Sequence, residues 1–253
     1  MGTDGDRWDA FRRNPQRAAV LTDFDGTLSA IVDDPAAARP LDGVAALLDE
    51  LADRYGLVAV LSGRPVSFLQ QFLSERVVLS GLYGLEVVRD GRRDDHPSGG
   101  AWREVVADVT AAARAHGPEG MRVEPKGLSL TVHYRGDPGL EAAVRDWAAR
   151  ESARSGLLVR EARMSVELHP PIAADKGTAV AELAGSFDAV CFLGDDRGDL
   201  PAFAALDDLA SGGVAVVRVG VRSDEAPPEL LAVADVVVDG PEGAAALLRG
   251  LLS

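Results

Sequence analysis

The sequence predicts an α/β fold: a Rossmann-like core, with a parallel sheet covered by helices on both faces, into which an α+β segment is inserted. Three observations predict it. Short, almost wholly apolar runs recur at Ala18–Leu21, Leu57–Leu61, Ala189–Leu193 and Val214–Val219, the signature of strands buried on both faces. Segments of helical period alternate with these runs, as βαβ units require. Between roughly residues 92 and 172 the pattern changes to two helical segments among alternating strands, with Gly and Pro at the joints.

In chain order, the strand Ala18–Leu21 leads to a helix over Leu41–Tyr55, with apolar residues at 41, 44, 47, 48 and 51. The strand Leu57–Leu61 completes the first βαβ unit. The insert reads as helix 101–115, strands 120–124 and 128–134, helix 138–153 and strand 164–168. The core then resumes with helix Lys176–Leu183, strand Ala189–Leu193, helix Asp199–Leu206 and strand Val214–Val219. A Pro-rich turn, a short strand Asp235–Val238 and a helix from Pro241 onward follow. The expected division is therefore a core of 1–91 and 173–253 and an inserted segment of 92–172. Its place in the chain suits a cap over the carboxyl edge of the core strands.

The 253 residues carry 26 Lys and Arg against 40 Asp and Glu, a formal charge of −14. Such a field repels polyanions, which argues against nucleic acid or an anionic membrane as partner. The single cysteine, Cys191, lies in an apolar run and reads as a small buried hydrophobe. Residues 1–17 are polar and contain no apolar stretch of signal-peptide type, and no run approaches membrane-spanning length, so a cytoplasmic location is expected. Nothing here sets an oligomeric state, and a monomer is compatible with the composition.

Chemistry enters at Asp23-Phe24-Asp25-Gly26-Thr27, directly behind the first strand. Asp23 is delivered at a strand's carboxyl end, where ligand sites of open α/β sheets gather. Two acids two residues apart suit a nucleophile with its own acid/base partner, although Asp-x-Asp-Gly is also an ordinary way to leave a strand. Ser62-Gly63-Arg64 follows the second strand and offers a hydroxyl and amides to phosphate oxygens, or merely a serine cap. Lys176 opens the helix after the insert, as a charge for an anionic site or as a solvated surface lysine. Asp195, Asp196 and Asp199 crowd three carboxylates into five residues at another strand end, and a hard divalent cation would let them tolerate one another.

Four such motifs in this order resemble those of the haloacid dehalogenase superfamily of hydrolases. Within it, residues 23–35 with Ala38-Arg39-Pro40, Leu61–Arg64 and Gly81–Glu86 are similar to the trehalose-6-phosphate phosphatase family. So are Val123–Leu130, His133-Tyr134-Arg135 and Val166–Pro170 in the insert. The resemblance implies an Mg²⁺-dependent phosphatase acting on a small sugar phosphate through an aspartyl-phosphate on Asp23, with Asp25 as acid and base and Ser62 and Lys176 holding the transferred group. It implies metal contacts from Asp23, Asp25 by its main-chain carbonyl, and Asp195, with Asp196 and Asp199 as supports or further contacts. It implies sugar contacts from Glu124, Lys126 and Glu167; Arg64 and Arg135 are secondary candidates near the phosphate or the sugar.

Glu124 and Lys126 are spaced to share one face of a strand, and Glu167 sits likewise between Val166 and Leu168. A solvent-exposed Glu/Lys face would give the same spacing. His133 reads equally as a structural histidine, and Trp102 and Trp147 as packing for the insert's helices. Gly198 stands where the family usually has Thr, and His169 where it commonly has Arg. Both departures motivate a related sugar or pseudo-disaccharide phosphate as alternative substrate. A non-catalytic sugar-phosphate sensor and a sugar phosphomutase are the readings from other classes.

Overall fold

The computed structural model describes residues 7–32, 34–162, 164–223 and 226–253; Asp33, part of the family-like stretch, lies outside them. The chain divides into two compact units, Met1–Asp94 with Ala174–Ser253, and Asp95–Ala173.

The first unit contains α1 (Asp9–Arg13), β1 (Ala18–Thr22), α2 (Val44–Arg54), β2 (Leu57–Leu61), α3 (Val66–Leu69), β3 (Val78–Gly81) and β4 (Glu86–Arg89). The strand β5 (Arg92–Asp95) runs to its border, and after the second unit come α6 (Lys176–Ala184), β10 (Ala189–Gly194), α7 (Leu200–Ser211), β11 (Ala215–Arg222), α8 (Pro228–Val233), β12 (Val236–Asp239) and α9 (Gly240–Gly250). The strands form one sheet in the order β12-β11-β10-β1-β2-β3-β4-β5. From β12 to β3 all pairs are parallel.

Every residue of β1, β2 and β10 is buried, which is why these runs are apolar on both faces. Ala18 and Val20 pack with Val44, Leu48 and Leu51 of α2 and Leu248 of α9. Ala19 and Leu21 face the other way, toward Val180 and Leu183 of α6 and Phe203 and Leu206 of α7. Cys191 is buried in the first of these layers, and burial raises its thiol pKa to about 12.

Several boundaries depart from the sequence expectation. The helix expected from Leu41 begins at Val44, because Gly43 takes a left-handed conformation (φ +80°) ahead of it. The Pro-rich turn carries the helix α8, begun by a proline at its first position. The sheet is not wholly parallel: β4 runs antiparallel to β3, and β5 neighbours β4. The β4–β5 turn is Asp90-Gly91, both with positive φ (+50° and +69°), the pattern of a tight hairpin turn. The sequence of β5, Arg-Arg-Asp-Asp, lacks any apolar signal. Charges of this kind suit a sheet edge, where they discourage pairing with another chain.

The second unit holds α4 (Arg103–His116), β6 (Arg122–Pro125), β7 (Leu130–His133), α5 (Glu141–Ser155), β8 (Leu158–Ala162) and β9 (Ser165–His169). Its antiparallel sheet is ordered β6-β7-β9-β8. One face is apolar: Leu130, Val132, Val166 and Leu168 pack with Val106, Val109 and Ala113 of α4 and Val144, Trp147 and Ala148 of α5. Strand β8 has no counterpart in the sequence expectation. Gly156, with φ +79°, ends α5 at Ser155, and β8 begins two residues beyond that glycine.

Candidate active site

The neighbours of β1 fix what meets beyond its carboxyl end. Thr22 pairs with Leu193 of β10 and with Val60 of β2, so Asp23, Asp195 and Ser62 emerge from three adjacent strand ends. The Asp23 amide still donates to the Leu193 carbonyl (2.8 Å), extending the sheet register to the buried Asp23 itself. The chain then turns sharply at Gly26, whose φ is +78°. A β-carbon there would lie 2.0 Å from Oδ2 of Asp195, so only glycine lets the two loops approach. Thr27 donates its hydroxyl to Asp195 Oδ1 (3.4 Å).

Lys176 is the first residue of α6, held by a capping box in which Asp175 accepts from the Thr178 amide and Thr178 Oγ1 accepts from the Asp175 amide. It is not a solvated lysine: only 3% exposed, its Nζ stands 2.7 Å from Asp23 Oδ1 and 2.6 Å from Asp199 Oδ1. Asp199 is itself completely buried. Its second oxygen accepts from the amides of Asp195 (2.9 Å) and Asp196 (3.1 Å). Asp199 thus ties α6 to the loop after β10, a role that sequence spacing did not single out.

The three neighbouring acids separate according to their partners. Carboxylate oxygens of Asp23, Asp195 and Asp199 all lie within 4.8 Å of one another. Asp196 is exposed, and its carboxylate accepts from the Gly198 amide (2.8 Å), capping the short turn Arg197–Asp199. The Gly198 backbone serves that turn.

Burial and mutual repulsion dominate the electrostatics. Burial lifts the Asp23 carboxyl well above the usual carboxylate range, against the pull of Lys176 and with further push from Asp199, Asp195 and Asp196. Burial, then Asp199 and Asp196, push Asp195 up to about 8. Burial pushes Asp199 up to about 6 although Lys176 opposes it. Burial disfavours the Lys176 ammonium, but Asp199 and Asp23 outweigh that and hold its pKa well above the ordinary lysine value. One ammonium against three carboxylates leaves an excess of negative charge with oxygen donors only, a donor set that fits a hard divalent cation.

Ser62 is buried just beyond β2. Its amide donates to Ser80 of β3 (2.9 Å) and its carbonyl accepts from Tyr83 (3.0 Å). Its hydroxyl accepts from the Arg64 amide (3.1 Å). The helix expected to start at this tripeptide, α3, has four residues and follows Pro65, so Ser62 belongs to the turn ahead of it. Glu86, also buried, accepts from the Val66 amide (2.9 Å) and from Arg93 (2.5 Å), anchoring that turn.

Asp25 does not join the three-carboxylate group. Its side chain is 39% exposed and paired with Arg64, whose Nε and Nη2 each donate to one carboxylate oxygen at 2.7 Å.

In the second unit, register aligns Glu124, Thr131, Glu167 and Arg160 across four strands on the face opposite the apolar core. Glu167 is buried; it accepts from Ser129 Oγ (2.7 Å), with Arg160 at 3.5 Å and Lys126 at 4.0 Å. Glu124 bonds His133 Nε2 at 2.8 Å. Thr131 is buried between the two glutamates, and its hydroxyl has no hydrogen-bond partner among the described residues. His169 bonds the Pro170 carbonyl through Nδ1 (2.9 Å); burial first, then Arg160, lower its pKa. Arg135 is half-buried in the turn after β7. Ser129, Thr131 and Arg160 were missed from sequence; period-two alternation in β8 would have placed Arg160 and Glu161 on opposite faces had that strand been recognised.

Among the described residues, no helix is long and apolar enough to cross a membrane. The trehalose-phosphatase family model matches residues 21–231. A trehalose-phosphate phosphatase of Mycobacterium ulcerans is 35% identical over 237 residues, covering 86% of this chain and 58% of that protein; the chain thus spans a little over half the length of that curated relative. Among solved structures, a trehalose-6-phosphate phosphatase related protein superposes with a TM-score of 0.79 at 21% identity, covering 92% of this chain and 96% of that one. The C-terminal domain of the trehalose-6-phosphate phosphatase of C. albicans superposes with 0.77 at 24% identity, covering 98% and 96%. At these identities the two structures speak for a shared fold.

Proposed function

The chain belongs to the trehalose-phosphatase family, and from that premise we propose that it hydrolyses trehalose 6-phosphate to trehalose and inorganic phosphate through an aspartyl-phosphate on Asp23. The observation that carries this reading is the buried group Asp23, Lys176, Asp199 and Asp195 beyond the ends of β1 and β10.

Asp23 attacks phosphorus as the ester bond to the sugar oxygen breaks, which divides one difficult displacement into two easier ones. Asp25 gives its proton to the departing sugar oxygen. It then takes a proton from the water that attacks the aspartyl-phosphate, so acid and base are one residue two positions from the nucleophile. Lys176, fixed by Asp199, sets a positive charge at the oxygen of Asp23 and at the transferred group. Ser62 offers its hydroxyl proton to the same group. Asp23 and Asp195, with the Asp25 carbonyl, would hold Mg²⁺, and Asp199 supports them. When bound, the ion neutralises charge on carboxylate and phosphate and draws the two anions together. Asp196 retains its turn-capping role.

The segment 92–172 supplies sugar specificity in this reading. Glu124, Lys126 and Glu167 accept and donate hydrogen bonds to sugar hydroxyls, and Arg135 is a further contact. One observation favours a second substrate: His169, where the family commonly has Arg, sets an imidazole with a pKa lowered by burial on that polar face, and an imidazole favours different hydroxyl partners from a guanidinium. A related sugar or pseudo-disaccharide phosphate is therefore the alternative.

Phosphate release from trehalose 6-phosphate, sucrose 6-phosphate, glucose 6-phosphate and a pseudo-disaccharide phosphate decides between them, measured with Mg²⁺, with EDTA, and for Asp23→Asn. Selective, metal-dependent release lost in Asp23→Asn is expected for trehalose 6-phosphate. Release confined to another sugar phosphate replaces the substrate and keeps the chemistry. Binding without release from any would make the protein a sensor, and conversion that conserves organic phosphate a mutase.

A further inference from the structure

Three of the five N–H donors of the Arg64 guanidinium are directed at this chain itself. Nε and Nη2 take the two oxygens of Asp25, each at 2.7 Å. Nη1 donates to the Pro35 carbonyl at 2.6 Å, and the guanidinium carbon lies 4.1 Å from the centroid of the Phe68 ring. The Arg64 amide donates to Ser62 Oγ (3.1 Å), and its carbonyl accepts from Leu82 (3.0 Å). Only 12% of the side chain is exposed. Phe68 meets Phe24 edge-on at 5.8 Å between centroids, and Phe24 separates Asp23 from Asp25 in the chain. The arginine is thus fixed from three sides, with its planar fork presented to one carboxylate.

We propose that Arg64 is a positioning residue for Asp25, rather than a contact to the substrate's phosphate or sugar. This rests on the reading of Asp25 as acid and base. An aspartate on a bend has two free torsions, and a bidentate guanidinium fixes both. The same carboxyl group serves both half-reactions. In the first, the proton leaves Asp25 for the sugar oxygen as the P–O bond breaks; in the second, it returns from the attacking water.

The test exploits leaving groups. kcat/KM reports steps up to formation of the aspartyl-phosphate. p-Nitrophenolate departs without protonation, whereas a sugar alkoxide needs it. For Asp25→Asn, kcat/KM should fall by ~10²-fold or more on the best sugar phosphate of the panel and stay within about threefold on p-nitrophenyl phosphate. If Arg64 acts through Asp25, Arg64→Ala reproduces that selective loss, by about tenfold or more, and adds nothing in the Asp25→Asn background. Arg64→Lys, which keeps the charge but not the fork, shows the same selectivity to a smaller degree and serves should Arg64→Ala fail to fold by circular dichroism. Equal losses on both phosphates, adding to Asp25→Asn, would place Arg64 on the transferred phosphoryl group and overturn the proposal. Because the comparison uses whichever sugar phosphate the native protein turns over best, failure of trehalose 6-phosphate as substrate leaves it intact. A native protein that turns over none removes the acid/base role and the proposal with it.

Discussion

Stripping divalent cations with EDTA and raising the pH from 6 to 8 should destabilise the protein, and Mg²⁺ should abolish most of that loss. Burial pushes Asp199 from 3.8 to about 6 and Asp195 from 3.8 to about 8, so the folded state binds protons more tightly than the unfolded chain. Stability is therefore highest below the interval these values span and falls as pH rises through it. At about 1.4 kcal/mol per tenfold change, the rise at Asp199 corresponds to about 3 kcal/mol, and Asp195 adds a share that its coupling to Asp199 limits. About half of the Asp195 share, which is spread from pH 3.8 to about 8, falls between pH 6 and 8, and this predicts a loss on the order of 2 kcal/mol there. Mg²⁺ at about a hundred times its dissociation constant contributes about 2.7 kcal/mol, and more at pH 8 than at pH 6 because its ligands must be deprotonated. Urea midpoints at the two pH values, with EDTA, with Mg²⁺ and for Asp195→Asn, measure this. A native EDTA curve no steeper in pH than that of Asp195→Asn, or midpoints indifferent to Mg²⁺, would refute the account of the acidic group.

Gly26→Ala should cost about 2 kcal/mol or more, and phosphate release with it, since it imposes φ +78° on alanine and sets a β-carbon 2.0 Å from Asp195 Oδ2; unchanged urea midpoint and rate would contradict it. Glu124→Ala should lower hydrolysis of trehalose 6-phosphate much more than that of p-nitrophenyl phosphate, and equal losses would make the Glu124–His133 pair structural. Leu130→Ala, at a fully buried position of the second unit's core, should cost about 2–5 kcal/mol in a urea titration, and a cost under 1 kcal/mol would mean that this core collapses around the gap.

The sequence was most readable where burial on both faces left no choice of residue. The strands β1, β2 and β10 are continuous apolar runs, and the acids behind them were identified by position. What stayed hidden lacked that pattern. β5 is four charged residues held in place by a turn, β8 follows a helix almost without punctuation, and α8 hides behind two prolines. Within the candidate site, residue types were legible but partners were not. Nothing in the spacing reveals that Asp199 is the buried counterion of Lys176 or that Arg64 grips Asp25. Such pairings depend on distances between segments far apart in the chain, set only when the sheet order brings them together.

That order also governs how the protein is made. The central strands β1 and β10 are adjacent in space, yet some 170 residues of chain separate Thr22 from Leu193. On a ribosome, β1 emerges early and waits, its β10-side edge unpaired, while the whole of 95–173 is synthesised. That stretch is contiguous and has its own core, so it is equipped to fold first. The nascent amino-terminal strands are meanwhile an aggregation hazard, which makes the tempo of translation through the insert a determinant of yield.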